Sequence, residues 1–267
     1  MYAPLKRVAD KHTLYLDYKH PRKARGNKKK VAWKDYKDNV HDLDFVFEEG
    51  GSDNVVGRPK AFIESAWRRY TKHSRNKAQE IHGAIIPLGE TYRENKPFLG
   101  VVLAGDFTEG SLQQLRSHGF SILYYPYERI VEAFAAAGID AAFDEDTPDA
   151  EVQDKVDAYS SLTQSKKEII VKTLRSARQG EMRDFLRAIE SCLTRAIARI
   201  CIATLHGPSH EVATIDDAVK FIETYDESQP AAGFVKYEVI VRYSNGDSIQ
   251  GEFTAKSAAV DFLRRLV

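Results

Sequence analysis

The pattern of apolar residues in the first half of the chain predicts alternating strands and helices. Residues 43–48 have the pattern of a strand, and a mostly apolar strand over 60–67 follows a glycine-containing turn. Continuous apolar runs at 98–104 and 121–125 are typical of buried central strands. Helices are predicted over 74–86, from about 109, and over 128–137. The order β-β-α-β-α-β-α predicts an α/β domain whose mixed sheet has an antiparallel pair followed by crossovers.

The second half is predicted to be mainly helical, with a small unit at its end. Apolar residues recur with a helical period over 164–206, and a further helix is predicted over 214–225. Alternation over 235–254, around an Asn-Gly turn at 245–246, predicts a β-hairpin. Residues 256–266 have the pattern of a final helix. We identify no internal repeat in the sequence.

Length and composition are those of an ordinary folded protein. The chain has 267 residues, 43% hydrophobic and 29% charged, which excludes a wholly disordered chain and allows one large domain or two small ones. The expected fold class is α/β, with a restriction-endonuclease-like mixed sheet flanked by helices, then a helical region, then a C-terminal β-hairpin plus helix. The expected divisions are a core with a basic N-terminal arm over 1–140, the helical region over 141–230, and a ββα appendage over 231–267.

We expect a cytoplasmic protein with no membrane partner. No apolar run approaches the ~18–20 residues that cross a bilayer, and the N-terminal residues lack the apolar stretch of a secretory signal. Cys192 and Cys201 lie in a predicted helix, about 2.5 turns apart, so they point to nearly opposite sides. We therefore expect no disulfide between them, which fits a reducing compartment.

The formal net charge is zero, but charge is unevenly distributed along the chain. Residues 1–40 carry a net charge of +8 and residues 58–82 one of +5, whereas residues 138–157 carry −7. The basic segment over 19–30 contains Pro and Gly, which predicts a flexible loop, either a solvated tail or an arm that lies along phosphates. This asymmetry keeps a nucleic-acid partner possible despite the zero net charge.

Two carboxylates in the early strands are candidates for chemistry. Glu64 lies within the second, apolar strand, where a carboxylate is costly unless it is paired or bound to a cation. If the two strands are neighbours, Asp44 can lie beside Glu64, and the pair then needs a positive charge between them. Mg²⁺ binds through one or two carboxylates and suits phosphate substrates, so the pair predicts an Mg²⁺ site. Alternatively, Glu64 pairs with Arg68 or Arg69; Asp42 shares the strand face of Asp44 and could replace it.

A basic run interleaved with aromatic and amide residues follows Glu64 and continues into the predicted helix. A solvated helix face needs only charge, whereas a surface that meets a nucleic acid uses aromatic and amide groups as well. We therefore expect a DNA-binding patch here, with a merely solvated face as the alternative. The candidate contacts are Arg68, Arg69, Lys72, His73, Arg75 and Asn76.

These residues resemble the pattern of the PD-(D/E)XK nuclease superfamily, the restriction-endonuclease-like enzymes. The shared features are an Asp, roughly twenty residues, a Glu within an apolar strand, then a helix and two buried strands, over about 40–137. The resemblance implies that Asp44 and Glu64 bind Mg²⁺. The Lys that the family carries two residues after the acid is replaced here by Ala66.

Three explanations of Ala66 are open. Arg68 shares the strand face and could supply positive charge, although arginine cannot act as a base at neutral pH. Lys72 or Lys77 could reach back from the next element, and we favour Lys77 because it lies on the helix face turned towards the sheet. In the third explanation the site is inactive and the fold only binds DNA.

The resemblance implies metal-assisted hydrolysis of phosphodiester bonds by an Mg²⁺-dependent DNA endonuclease similar to type II restriction enzymes. The catalytic residues would be Asp44, Glu64, Arg68, Lys77 and Gln79. Glu80 could be an additional acid. The partner would be double-stranded DNA, cut by a homodimer because a two-fold symmetric duplex asks for two active sites. The alternative is a catalytically inactive nuclease fold that binds DNA or a protein; a nuclease of RNA or single strands would suit Trp67 and Tyr70 as stacking groups.

Overall fold

The computed structural model describes residues 1–204, 209–228 and 233–266, without the side chains of Lys72 and His73. The chain divides into two units, one formed by Met1–Leu88 with Phe98–Ile189, the other by Gly89–Pro97 with Glu190–Val267. The helices that follow residue 140 group with the first unit as far as Ile189. The divisions expected from sequence, at 140 and 230, stay predictions.

The first unit contains a mixed sheet, a separate two-stranded ribbon and several helices. Its strands are β1 (Tyr15–Tyr18), β2 (Val31–Lys34), β3 (Val40–Leu43), β4 (Phe45–Glu49), β5 (Arg58–Arg68), β6 (Phe98–Gly105) and β7 (Ser121–Pro126). The helices that begin in it are α1 (Tyr2–Lys11), α2 (Thr71–Thr91), α3 (Glu109–Ser117), α4 (Tyr127–Ala135), α5 (Asp149–Ser160), α6 (Gln164–Ala177) and α7 (Gln179–Leu193). Strands β2 and β3 form the ribbon.

Five strands of the described chain form the mixed sheet, in the order β1-β4-β5-β6-β7. Strand β4 is antiparallel to both β1 and β5, whereas β5, β6 and β7 run parallel to one another. The predicted mixed sheet, with an antiparallel pair followed by crossovers, is confirmed. The apolar runs that predicted these strands supply the core, because each strand of the centre buries side chains completely. Among them are Phe47, Phe62, Ile63, Leu103 and Leu123.

The basic N-terminal segment packs against this sheet, so the prediction of a flexible arm is wrong. Arg22 is completely buried, and its Nη1 lies 2.6 Å from Glu48 Oε1 and 2.8 Å from Asp17 Oδ2. Its remaining donors reach the backbone carbonyls of Ser52 and Val55. These partners lie up to 33 residues away in the sequence, so local composition could not reveal them.

The second unit is an antiparallel sheet with two packed helices. Its described elements are β8 (Ile197–Ala203), β9 (His210–Val212), α8 (Ile215–Thr224), β10 (Tyr237–Tyr243), β11 (Ser248–Phe253) and α9 (Lys256–Arg264). The strands lie in the order β11-β10-β8-β9. The predicted hairpin and the two predicted helices are confirmed by β10, β11, α8 and α9.

The helix predicted over 164–206 is wrong at its end, where the chain forms β8. The isoleucines at 197, 200 and 202 fit a helical period and an alternating one almost equally well, a known ambiguity of short apolar runs. Pairing with β10 decides between them, because Ile200 and Ile202 are both buried in the core of the second unit. Leu205 and His206, at the end of the predicted helix, lie outside the described residues.

The second unit repeats one ββα arrangement, first as β8-β9-α8 and then as β10-β11-α9. An offset of 41 residues carries the start of α8 onto the start of α9, and the end of β9 at Val212 onto the end of β11 at Phe253. The same offset aligns Ala-Val-Lys-Phe at 218–221 with Ala-Val-Asp-Phe at 259–262. The expectation of no internal repeat is therefore wrong, and it failed because few identities survive outside the helices.

The two cysteines lie on different elements, Cys192 in α7 and Cys201 in β8, and within the described part of the chain neither forms a disulfide. The shared helix predicted for them is wrong for the reason given above for β8. In the parts of the chain that the structure describes, no helix combines the length and the apolar character needed to cross a membrane. A cytoplasmic location stays a prediction.

Candidate functional site

Asp44 and Glu64 meet where β4 begins and β5 nears its end. Phe45 pairs with Ile63 across these antiparallel strands, so Asp44 continues the register opposite Glu64. The backbone N–H of Asp44 donates a hydrogen bond to the Glu64 carboxyl group. The Asp44 carboxylate accepts hydrogen bonds from the Ser65 backbone N–H at 2.8 Å and from its hydroxyl at 2.5 Å. The structure thus brings together the two carboxylates that the sequence placed on neighbouring strands.

Lys77 approaches the same carboxyl group from α2. Its Nζ lies 3.8 Å from Glu64 Oε1 and 3.3 Å from Glu80 Oε2. Ala78 and Ile81 are buried, which fixes the side of α2 that packs inwards, and Lys77 lies beside them at helical spacing. The lysine side chain is only 18% exposed, so its charge is held close to Glu64 rather than extended into solvent.

Glu64 has a carboxyl oxygen that lacks a hydrogen-bond partner. Its side chain is 17% exposed, and Oε2 is buried with no such partner among the described residues. Burial, and next to it repulsion from the Asp44 carboxylate, raises the pKa of Glu64 to about 7, and attraction from Lys77 offsets only part of this. A buried carboxylate in this state requires either a proton or a cation.

The donor set of this pair fits a hard divalent cation. Mg²⁺ prefers oxygen ligands, takes one or two carboxylates from the protein and keeps its other positions for water and phosphate oxygens. Over the described ranges, no group of three or more His, Cys, Asp or Glu side chains is placed to hold a metal ion. That arrangement is unlike a closed structural zinc site. The unpartnered Oε2 of Glu64 beside Asp44 is the observation that fits Mg²⁺.

Two further residues that were predicted to be catalytic lie differently from Lys77. Arg68 donates to the backbone carbonyl of Trp67 at 2.8 Å, and its Nη2 lies 3.6 Å from Glu80 Oε2. Gln79 is exposed, and two residues along an α-helix correspond to a rotation of about 200° from Lys77. The structure therefore connects Arg68 to the lysine through Glu80, and it directs Gln79 away from Glu64.

Arg69 has its contacts inside the first unit. Its Nη1 lies 2.6 Å from Asp106 Oδ2, and its Nε donates to the Phe143 backbone carbonyl at 2.7 Å. The guanidinium carbon lies 3.8 Å from the centre of the Tyr127 ring, a cation–π geometry. These contacts hold the guanidinium group inside the first unit. A DNA contact by Arg69 stays a prediction.

The rest of the predicted DNA-binding patch lies at the start of α2. Arg75 and Asn76 are exposed there. The side chains of Lys72 and His73 lie outside the described residues. Since Arg69 is committed to internal contacts, the patch contains fewer available side chains than its composition indicated.

A basic groove of about 600 Å³, not part of the predicted site, lies along the β2–β3 ribbon. It is lined by Arg25, Lys28, Lys30, Ala32, Val40 and Asp42. Three of these residues come from the segment that was expected to be a flexible arm. The excess of positive charge in this segment was the one sequence signal that indicated the groove, whereas the shape of the groove depends on the fold.

Comparison of the chain with protein-family models, with curated proteins and with solved structures finds no match.

Proposed function

We propose that the protein is an Mg²⁺-dependent DNA endonuclease similar to type II restriction enzymes, which hydrolyses phosphodiester bonds at Asp44 and Glu64. The observation that carries the proposal is the buried, unpartnered Oε2 of Glu64 beside the Asp44 carboxylate. The order of an antiparallel pair, a helix and then parallel strands supports it, because this is the order that the resemblance to PD-(D/E)XK nucleases implies.

Asp44 and Glu64 would hold the ion, which when bound would neutralise phosphate charge and lower the pKa of a water molecule. Glu64 must give up its proton to take part, and its pKa near 7 places this change close to neutral pH. Ser65 orients Asp44, since two of its groups donate to one carboxylate oxygen.

Lys77 supplies the amine that position 66 lacks. The Ala66 side chain ends at Cβ, so a positive charge beside Glu64 has to come from another element, and α2 provides one at 3.8 Å. Glu80 holds Lys77 in this position through its own ion pair at 3.3 Å. A fixed amine stabilises the charge that develops on a phosphate during hydrolysis without reorganising.

The alternative is a catalytically inactive nuclease fold that binds DNA or a protein, and Ala66 is the observation that favours it. An inactive fold of this kind would bind DNA through the same surface, but its binding would not depend on Glu64. A homodimer is part of the first proposal, and light scattering of the purified protein should then give about twice the 30.2 kDa of one chain.

The test is cleavage of supercoiled plasmid DNA with Mg²⁺, beside EDTA and two variants. Glu64→Ala removes the proposed metal ligand, whereas Glu168→Ala removes an exposed glutamate on α6 as a matched control. We expect metal-dependent cutting by the wild type and the control and none by Glu64→Ala. DNA binding without cutting would favour the inactive module, and equal cutting by Glu64→Ala would contradict the proposed site.

A further inference from the structure

We infer that the groove along the β2–β3 ribbon binds the phosphodiester backbone of duplex DNA and leads it to Asp44 and Glu64. The inference rests on the proposed function, since it concerns how the substrate of that same site is held. It assigns the main backbone contacts to Lys28 and Lys30, which are exposed, in place of the α2 patch, and Arg25 lines the groove beneath them as a cation held by internal contacts.

The backbone segment that forms the groove is anchored, which fixes where its lysines leave the chain. Arg25 Nη2 lies 2.9 Å from Asp17 Oδ1 and also donates to the backbone carbonyls of Tyr18 and His20. The same segment is held by Arg22, whose guanidinium group is completely buried. A backbone that is already in place loses less conformational entropy on binding than a flexible tail.

The charge of the groove matches a polyanion. Three of its six lining residues are cationic and one, Asp42, is acidic. Lys28 makes no ion pair with any described residue, and Lys30 has one partner, Asp42 Oδ2 at 2.5 Å. Both lysines are exposed, as are five further lysines of the same N-terminal segment. They are Lys19, Lys23, Lys29, Lys34 and Lys37. Several exposed cations along an open groove suit a chain of phosphates, whereas a single small anion is bound by converging donors.

The groove continues into the carboxylate site through β3. Asp42 lines the groove on β3, and Asp44 follows two residues later at the bend between β3 and β4, so their Cα atoms are at most about 7 Å apart. Val31 and Leu43 are the pair at one end of the antiparallel ribbon. Lys30 comes just before Val31 and Asp44 just after Leu43, so both residues lie at that end. A backbone bound at Lys28 and Lys30 therefore has a neighbouring phosphate within reach of Asp44.

The experiment measures binding of a fluorescently labelled 20-base-pair DNA duplex by anisotropy in EDTA, where no hydrolysis can occur, at several salt concentrations. Lys28→Gln with Lys30→Gln removes two groove charges, and Lys166→Gln with Lys220→Gln removes two exposed lysines elsewhere as the control. Each lost phosphate contact lowers the slope of log affinity against log salt by about 0.9, so the groove variant should bind about 60-fold more weakly at ~0.1 M salt. The control should bind like the wild type. Asp42→Asn, which removes the acidic lining residue, should strengthen binding.

Equal binding by the groove variant and the control would overturn the inference, as would a wild type that binds no duplex or binds only single-stranded RNA of the same length. These results are separable from those for cleavage. Groove-dependent binding without Glu64-dependent hydrolysis would leave the groove assigned and reject the nuclease. Hydrolysis that depends on Glu64 but is unchanged in the groove variant would support the nuclease and reject the groove as the DNA-binding surface. Thermal melting of each variant shows that the exposed lysines were removed without unfolding the chain.

Discussion

Lys77 Nζ lies 3.8 Å from Glu64 Oε1 and 3.3 Å from Glu80 Oε2, so one amine from α2 is shared by a buried carboxyl group and an exposed one. Asp44 adds a further negative charge next to Glu64, and its repulsion exceeds the attraction from Lys77. The cluster is therefore short of positive charge. This shortage is what a bound cation would relieve, and it makes the lysine the most informative residue to change.

Lys77→Met removes the amine and keeps a side chain of similar length. If the amine stabilises charge during hydrolysis, the cleavage rate should fall about 100-fold or more, as it does when a preorganised donor is lost elsewhere. Single-turnover cleavage at saturating protein measures the rate apart from binding. Lys166→Met, which changes an exposed cation of α6 outside the predicted DNA-binding patch, is the control and should cut normally. A normal rate in Lys77→Met would remove the lysine from the mechanism.

The raised pKa of Glu64 predicts how the stability of the metal-free protein varies with pH. The group holds its proton in the folded state up to about pH 7 but loses it near pH 4.5 when unfolded, so its favourable contribution is complete below 4.5 and is lost as the pH rises to 7. Glu64→Gln cannot ionise and should keep that contribution, an advantage of about 3 kcal/mol at pH 8. Urea unfolding in EDTA at pH 4 and pH 8 measures it. If the free energy of unfolding changes equally with pH in the wild type and in Glu64→Gln, the pKa of Glu64 is not raised.

Mg²⁺ should stabilise the wild type through the same group. A ligand that binds only the folded state at 100 times its dissociation constant stabilises by about 2.7 kcal/mol, which raises the melting temperature. The effect should be larger at pH 8 than at pH 6, because the proton on Glu64 competes with the ion. Melting curves with and without Mg²⁺ test this. Glu64→Gln should show little response, and an equal response in both proteins would place the ion elsewhere.

The sequence predicted those parts of the fold that depend on local pattern. Strands β5, β6 and β7 are buried in the core, so their apolar runs were visible. The position of Asp44 beside Glu64 followed from the antiparallel pair that the two early strand patterns predicted. The position of Lys77 also followed from helical spacing, since it depends only on which face of α2 is apolar.

What the sequence could not supply depends on partners that are remote along the chain. The sequence predicted Arg22 and Arg69 to be surface cations, yet each pairs with an acid far away along the chain. Arg22 pairs with Glu48 of β4, and Arg69 pairs with Asp106 in the loop after β6. The groove arises from the same long-range packing. Charge composition identifies that a segment is basic, but only the fold decides which of its cations are exposed.

Arg69 provides a test of that distinction. Arg69→Ala should lower the free energy of unfolding by about 2–4 kcal/mol, because it leaves the Asp106 carboxylate without its cation, removes the guanidinium donors of the Phe143 carbonyl and takes the cation from the Tyr127 ring. Urea unfolding measures the loss. The salt dependence of DNA binding by the folded variant should match the wild type. A changed slope with unchanged stability would restore Arg69 as a DNA contact.

Arg22 should matter more for stability, because its loss leaves the buried Glu48 carboxylate without a cation and Asp17 with Arg25 alone. Arg22→Met should lower the free energy of unfolding by about 3–5 kcal/mol, the usual result of removing one partner from a buried ion pair. Adding Glu48→Gln removes the stranded charge and should recover part of the loss, which separates charge burial from packing. Urea unfolding of the single and double variants measures both effects. If Arg22→Met unfolds like the wild type, the basic segment is held to the sheet by other contacts, and the fixed geometry inferred for the groove loses its basis.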